Sequence, residues 1–164
     1  MNKDLTATQN DYAYFLPALS GFYATYVGKQ RFDEYVPKDR IPSNFSNGVE
    51  SLNYLNAQEG EFTYKWTLYS AGHADLDTTK IVPKEDMVRN RDRENTWLLG
   101  DSGGFQIGKG VWEGDWKDPN CPKAQAKRDG VLRWMDAYMD YGMILDIPAW
   151  VARSPAGAKA TGIS

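Results

Sequence analysis

Apolar positions along the chain fall into short runs separated by long polar segments, and the clearest helical spacing lies over residues 123–141. There Val131, Leu132, Met135, Tyr138 and Met139 recur at i, i+3 and i+4, with Lys, Arg and Asp on the other side. That is the stripe of an amphipathic helix, which Gly142 is expected to stop. Short apolar runs flank it at residues 96–99 and 143–145, each of the length of a buried strand. A strand, a helical crossover and a second strand make a βαβ unit with parallel strands, hence an α/β fold. The first run ends in Gly100-Asp101 and the second in Asp146. In parallel α/β folds the C-terminal strand ends line the active site. Asp101 and Asp146, 45 residues apart (101 to 146), are therefore expected on one rim of neighbouring strands.

The rest of the chain is less periodic. Residues 1–11 are polar and read as frayed. Residues 12–19 and 22–27 are aromatic and β-prone with Ser20-Gly21 between them, the pattern of a strand, a turn and a strand. Seven charged residues and two prolines over residues 29–46 read as loop. Val49, Leu52, Tyr54 and Leu55 have roughly helical spacing, with Asn44, Ser46 and Asn47 as candidate caps. Residues 62–69 fit a strand or a buried helix. Residues 80–95 hold five basic and four acidic side chains and read as a solvated helix face or loop. Residues 109–122, with Gly110, Gly114, Trp112, Trp116 and two prolines, read as an irregular loop.

Composition narrows the function classes. A chain of 164 residues is one ordinary domain with room for a core. Its net charge is −3 and its pI about 5.2. A protein held to nucleic acid by bulk charge alone has a domain pI above about 9, so that class is excluded, while an enzyme with a local basic groove is not. One cysteine, Cys121, and one histidine, His73, exclude an intrachain disulfide and leave too few ligands for a Cys/His zinc site. The longest uncharged stretch, residues 12–28, is 17 residues long, below the roughly 20 that span a bilayer. It lacks the basic flank of a signal peptide. A soluble, cytoplasmic chain is expected.

Residues 100–109 match three patterns. Gly100-Asp101-Ser102-Gly103-Gly104 is the nucleophile loop of chymotrypsin-like proteases, with Ser102 as nucleophile and His73 as base. That fold needs two β-barrels around the site, yet a strong helix follows the loop. The spacing of 29 residues from 73 to 102 is too short, and Phe105 stands where those proteases have proline. Gly103-x-x-x-x-Gly108-Lys109 is nearly a phosphate-binding loop, but Gly110 replaces the hydroxyl residue that would hold Mg²⁺. The third pattern is the hexapeptide Asp101-Ser102-Gly103-Gly104-Phe105-Gln106 at a strand end.

That hexapeptide resembles the signature of the tRNA-guanine transglycosylase (queuine tRNA-ribosyltransferase) superfamily. The lead-in Leu98-Leu99-Gly100, the Trp112/Trp116 loop, the helix through Trp134 and Asp146-Ile147-Pro148 resemble its phage branch, the DNA 7-deazaguanine transglycosylases. The resemblance covers roughly residues 40–164 and is strongest over 97–150. It implies a (β/α)8 TIM-type barrel and a base exchange: an enzyme carboxylate attacks the sugar, guanine leaves, and a 7-deazaguanine displaces the enzyme. It implies Asp101 as the acid/base group in contact with the base. Ser102, Gly103, Gly104, Phe105 and Gln106 would complete the base site, Phe105 stacking on the base and the glycines letting the backbone approach it. Asp146 would accept hydrogen bonds from the guanine-type edge. Implied partners are the 7-deazaguanine base and DNA, or alternatively tRNA, in the cytoplasm of the host if phage-encoded.

The family's nucleophilic aspartate and zinc cluster lie downstream of anything that can be placed here, so no metal or cofactor is assigned to these residues. A (β/α)8 barrel takes about 250 residues. The expectation is therefore one incomplete barrel domain over 1–164, its N-terminal half, with strands and loop over 1–40 and the first barrel units over 41–164. Thr161-Gly162-Ile163-Ser164 reads as the loop before a further helix. A second chain or a further segment would complete the barrel; otherwise the chain is a base-binding remnant without chemistry.

Overall fold

Three parallel strands, β1 (Trp66–Ser70), β2 (Trp97–Asp101) and β3 (Tyr141–Gly142), form a sheet in that order. Trp66 pairs with Trp97 through to Ser70 with Asp101, and Leu99 and Gly100 pair with Tyr141 and Gly142. On the free side of β1, Ala18 bridges Leu68 in parallel; the Leu19 amide donates to the Leu68 carbonyl and the Leu68 amide to that of Pro17. This computed structural model describes residues 13–153 and 155–161. The expectations for residues 1–11 and for the loop at 162–164 lie outside the described residues.

Helices follow the strands in turn. α1 (Gly21–Gly28) follows the Ala18 bridge and α2 (Pro83–Arg89) follows β1. α3 (Gly104–Gly108) and α4 (Pro122–Tyr138) follow β2, and α5 (Pro155–Thr161) follows β3. The parallel βαβ arrangement expected from the hydrophobic pattern is present, and the fold is mixed helix and strand around a small parallel sheet. No helix among the described residues is long and apolar enough to cross a membrane.

Burial alternates along β1 and β2 and divides the sheet into two unlike faces. Thr67, Tyr69, Leu98 and Gly100 are buried. Tyr69 lies 5.8 Å from Trp134 of α4, ring to ring, and its hydroxyl donates to Glu85 of α2 at 2.9 Å. Met87 and Leu98 are wholly buried in the same core, each worth about 1.5–3 kcal/mol by removal from water. The opposite face, with Trp66, Leu68, Ser70, Trp97, Leu99 and Asp101, is only half-buried. Tyr14, Trp66, Trp97 and Tyr141 stack across it with ring centroids 4.1, 5.5 and 6.0 Å apart in succession.

Four sequence expectations are corrected. Residues 22–27 are helix, not strand. Ser20 is the N-cap of α1, accepting from the Tyr23 amide at 3.1 Å, and Ala24, Val27 and Gly28 bury one helical face. Capping and packing against α2 outweigh the β-prone composition. The stretch 80–95 is not a solvated face, because α2 buries Glu85, Asp86, Met87 and Val88. Its carboxylates are held inside: Glu85 also accepts from the Asp75 amide at 2.9 Å, and Asp86 meets Arg31 at 3.3 Å.

The third correction concerns α4, which stops at Tyr138 with Met139 already extended. Gly142 is not its stop but a strand residue, and a Cβ there would lie 2.8 Å from Met135 Sδ. The fourth is β3, which is two residues long and exposed. Met143, Ile144 and Leu145 are 45, 88 and 38% exposed rather than buried, since no strand pairs beyond β3 among the described residues.

The Tyr69 hydroxyl is tied to the buried Glu85 carboxyl, and burial together with that carboxyl pushes the phenol pKa up. Tyr69→Phe strips one donor from a carboxyl whose second oxygen, Oε2, already has no partner among the described residues. The expected loss is about 1–3 kcal/mol of unfolding free energy, measured by urea denaturation. An unchanged midpoint would disprove the role given to this hydrogen bond.

Candidate functional site at the strand ends

The hexapeptide begins on the last residue of β2 and turns into a one-turn helix. Asp101 faces Ser70, its register partner, and the Ser70 hydroxyl donates to Asp101 Oδ2 at 2.5 Å. The Ser70 oxygen in turn accepts from the Gly72 amide at 3.2 Å. One carboxylate oxygen of Asp101 is thus fixed, and the side chain is half-buried at the C-terminal rim of the sheet.

Gly103 makes the turn. Its φ of +77° lies in the left-handed region, where a side chain is strained. A Cβ there would also sit 2.5 Å from the Trp112 ring. Gly104 starts α3, and a Cβ on it would come 1.7 Å from the Asp146 carbonyl oxygen. One turn on, a Cβ on Gly108 would meet Val151 Cγ2 at 2.3 Å and the Trp150 ring at 2.9 Å. Residues i and i+4 share a helix face, so these two glycines let the segment around 146–151 lie flush on α3. Ser102, 2% exposed, fastens it by accepting from the Asp146 amide at 3.3 Å.

The residues expected at the site are therefore brought to one rim. Asp146 lies four residues past β3, not at its end, and is exposed. The space left by Gly103 and Gly104 in the Cβ direction is filled by Trp112 and by the Asp146 backbone, so these glycines serve the packing of the protein on itself. Ser102 is a buried tie between two loops. His73 lies exposed in the turn after β1.

Phe105 projects from α3, 51% exposed. The Gln106 carboxamide lies against Gly72, where an added Cβ would be 2.1 Å from its Cδ, and Gln106 Oε1 is buried with no hydrogen-bond partner among the described residues. A buried acceptor without a donor costs free energy until something supplies one.

Other acidic and nucleophilic groups are committed elsewhere. Asp140 precedes β3, at the opposite end of the strands; it accepts from the Leu98 amide at 2.8 Å and from Arg91 at 3.2 Å. Cys121 stands at the N-cap position of α4, and amides of Ala124 and Asp115 draw its thiol pKa down. No group of three or more His, Cys, Asp or Glu side chains among the described residues is placed to hold a metal ion. A cavity of about 520 Å³ lies beside Tyr23, Tyr54 and Phe62, lined by none of the hexapeptide residues. The sequence reading missed Ser70, although a serine directly after an aromatic strand run is a visible signal, and it missed Gly108 as the second half of the α3 contact. Compared with protein-family models, curated proteins and solved structures, the chain has no significant match.

Gly104→Ala forces a methyl into the Asp146 carbonyl. Backbone cannot rotate away as a side chain would, so a loss of at least about 1–3 kcal/mol is expected. The 146–151 segment should lift from α3, which amide hydrogen exchange would report as lost protection at Asp146 and Val151. Protection retained at both amides would refute the flush packing.

Proposed function

We propose that these residues form the base-recognition part of a base-exchange transglycosylase that replaces guanine with a 7-deazaguanine in nucleic acid, with DNA as substrate. The observation that carries the reading is the placement of the hexapeptide: a carboxylate, an exposed aromatic ring and an unpartnered buried acceptor follow one another at a parallel strand end. Ser70 occupies one oxygen of Asp101 and leaves the other to accept from the N–H edge of a purine. The same carboxyl would give a proton to the leaving guanine and take one back from the incoming base. Phe105 would stack on the base, and Gln106 Oε1 and the exposed Asp146 would accept further N–H groups.

The finer fold proposed is the first units of a (β/α)8 barrel. Strands in chain order, all parallel and each followed by a helix, are consistent with it. The half-buried face is where a barrel interior would lie. The attacking carboxylate is not supplied by Asp140, which is held by Arg91 and the Leu98 amide, and Asp136 lies exposed on α4. A further segment or a second chain would provide it. The engagement of Asp140 also favours a second reading, a module that binds the base without turnover.

Calorimetric titration with 7-deazaguanine tests both readings. Binding is expected, with Asp101→Asn and Asp146→Asn each weaker by about 10- to 150-fold, the range for hydrogen bonds to charged groups. Affinity unchanged in Asp101→Asn would sink the assignment. Incorporation of labelled 7-deazaguanine into DNA and, separately, into tRNA decides the substrate. Turnover by this chain alone, lost in Asp101→Asn, would show that Asp136 or Asp140 reaches the sugar.

A further inference from the structure

Trp150 is 41% exposed although its neighbour Val151 is wholly buried. Both belong to the 3-10 turn Ala149–Arg153, which Val151 anchors against Gly108. The Trp150 ring is thus carried on a pinned element and left half open. It stands 5.7 Å from the Phe105 ring at an interplanar angle of 64°. The Lys109 ammonium sits 5.4 Å from the Phe105 centroid and 5.6 Å from that of Trp150. Lys109 is exposed, and among the described residues no carboxylate is within ion-pair distance of it. Arg153, on the same turn as Trp150, adds a second exposed cation.

Two half-exposed rings with the Lys109 ammonium over both match one chemistry above others, that of an unstacked nucleotide. Aromatic rings take its base and the ammonium takes its phosphate. A base exchanged on a nucleic acid must leave the stack to be reached, which exposes the faces of its neighbours. We infer that Trp150 and Lys109 hold the nucleotide that flanks the exchanged one, with Trp150 stacking on the flanking base and Lys109 contacting its phosphate. The inference rests on the base-exchange reading for the identity of the strand. Trp150 is a positioning residue; it selects single-stranded or flipped-out substrate and takes no part in recognising the exchanged base.

The test separates the two claims by using two ligands on the 164-residue chain. Free 7-deazaguanine is titrated by calorimetry, and a short fluorescein-labelled single-stranded DNA oligonucleotide by anisotropy. Trp150→Ala is expected to weaken the oligonucleotide by about tenfold or more and the free base by clearly less, with Trp150→Phe restoring most of the loss. Lys109→Ala is expected to weaken the oligonucleotide and to flatten its salt dependence by about 0.7 in log–log slope, the share of one phosphate on a single strand. Oligonucleotide binding unmoved by Trp150→Ala, an equal loss for base and oligonucleotide, or a preference for intact duplex would each overturn the inference. Free-base binding without oligonucleotide binding overturns it too, while leaving the base-exchange reading in place. Oligonucleotide binding sensitive to Trp150 but without any free-base binding upholds the flanking contact and defeats the base-exchange reading instead.

Discussion

The site depends on one close contact, the seating of the segment around 146–151 on the short helix Gly104–Gly108. Asp101 and Asp146 belong to connections that leave different strands, and nothing in a two-residue β3 would hold the second connection in place. Two glycines a turn apart remove the side chains that would keep the backbones apart. Ser102 then adds a hydrogen bond and Val151 a buried anchor. The left-handed turn at Gly103 is part of the same device, since it aims α3 so that its glycine face meets the second connection. Three small residues of the hexapeptide therefore do structural work.

The sheet was legible where burial wrote a plain pattern. Residues 96–99 and the stripe through Val131 and Met135 gave β2, α4 and the parallel connection, because each element buries one defined face. The errors fell where a local preference was overruled by a distant partner. Phe22 to Val27 look like strand, but Ser20 caps a helix there and α2 supplies the surface on which it packs. The charges of 83–89 look solvated, yet Glu85 is needed inside by Tyr69 and Asp75. The surface that α2 offers to α1 and the inward turn of Glu85 toward Tyr69 exist only once the chain has folded.

The candidate site was legible in a different sense. A six-residue signature located Asp101 and its neighbours, but could not tell which residues touch a ligand and which touch the protein. The faces of Gly103 and Gly104 that a side chain would fill are occupied by Trp112 and Asp146. The importance of Ser70 and Trp150 comes from register and from docking across the rim. A serine matters here only because it pairs with Asp101.

The two ends of β2 and β3 are secured by separate means. At one end Asp140 ties Arg91 and the Leu98 amide together; at the other, the loops meet through α3. A strand anchored at its foot leaves its head open to revision. Under the proposed reading, substitutions among the exposed rim side chains would act on binding, and changes at Arg91 or Asp140 would act on folding first. Such a division would separate the side chains that meet a ligand from those that keep the strands in place.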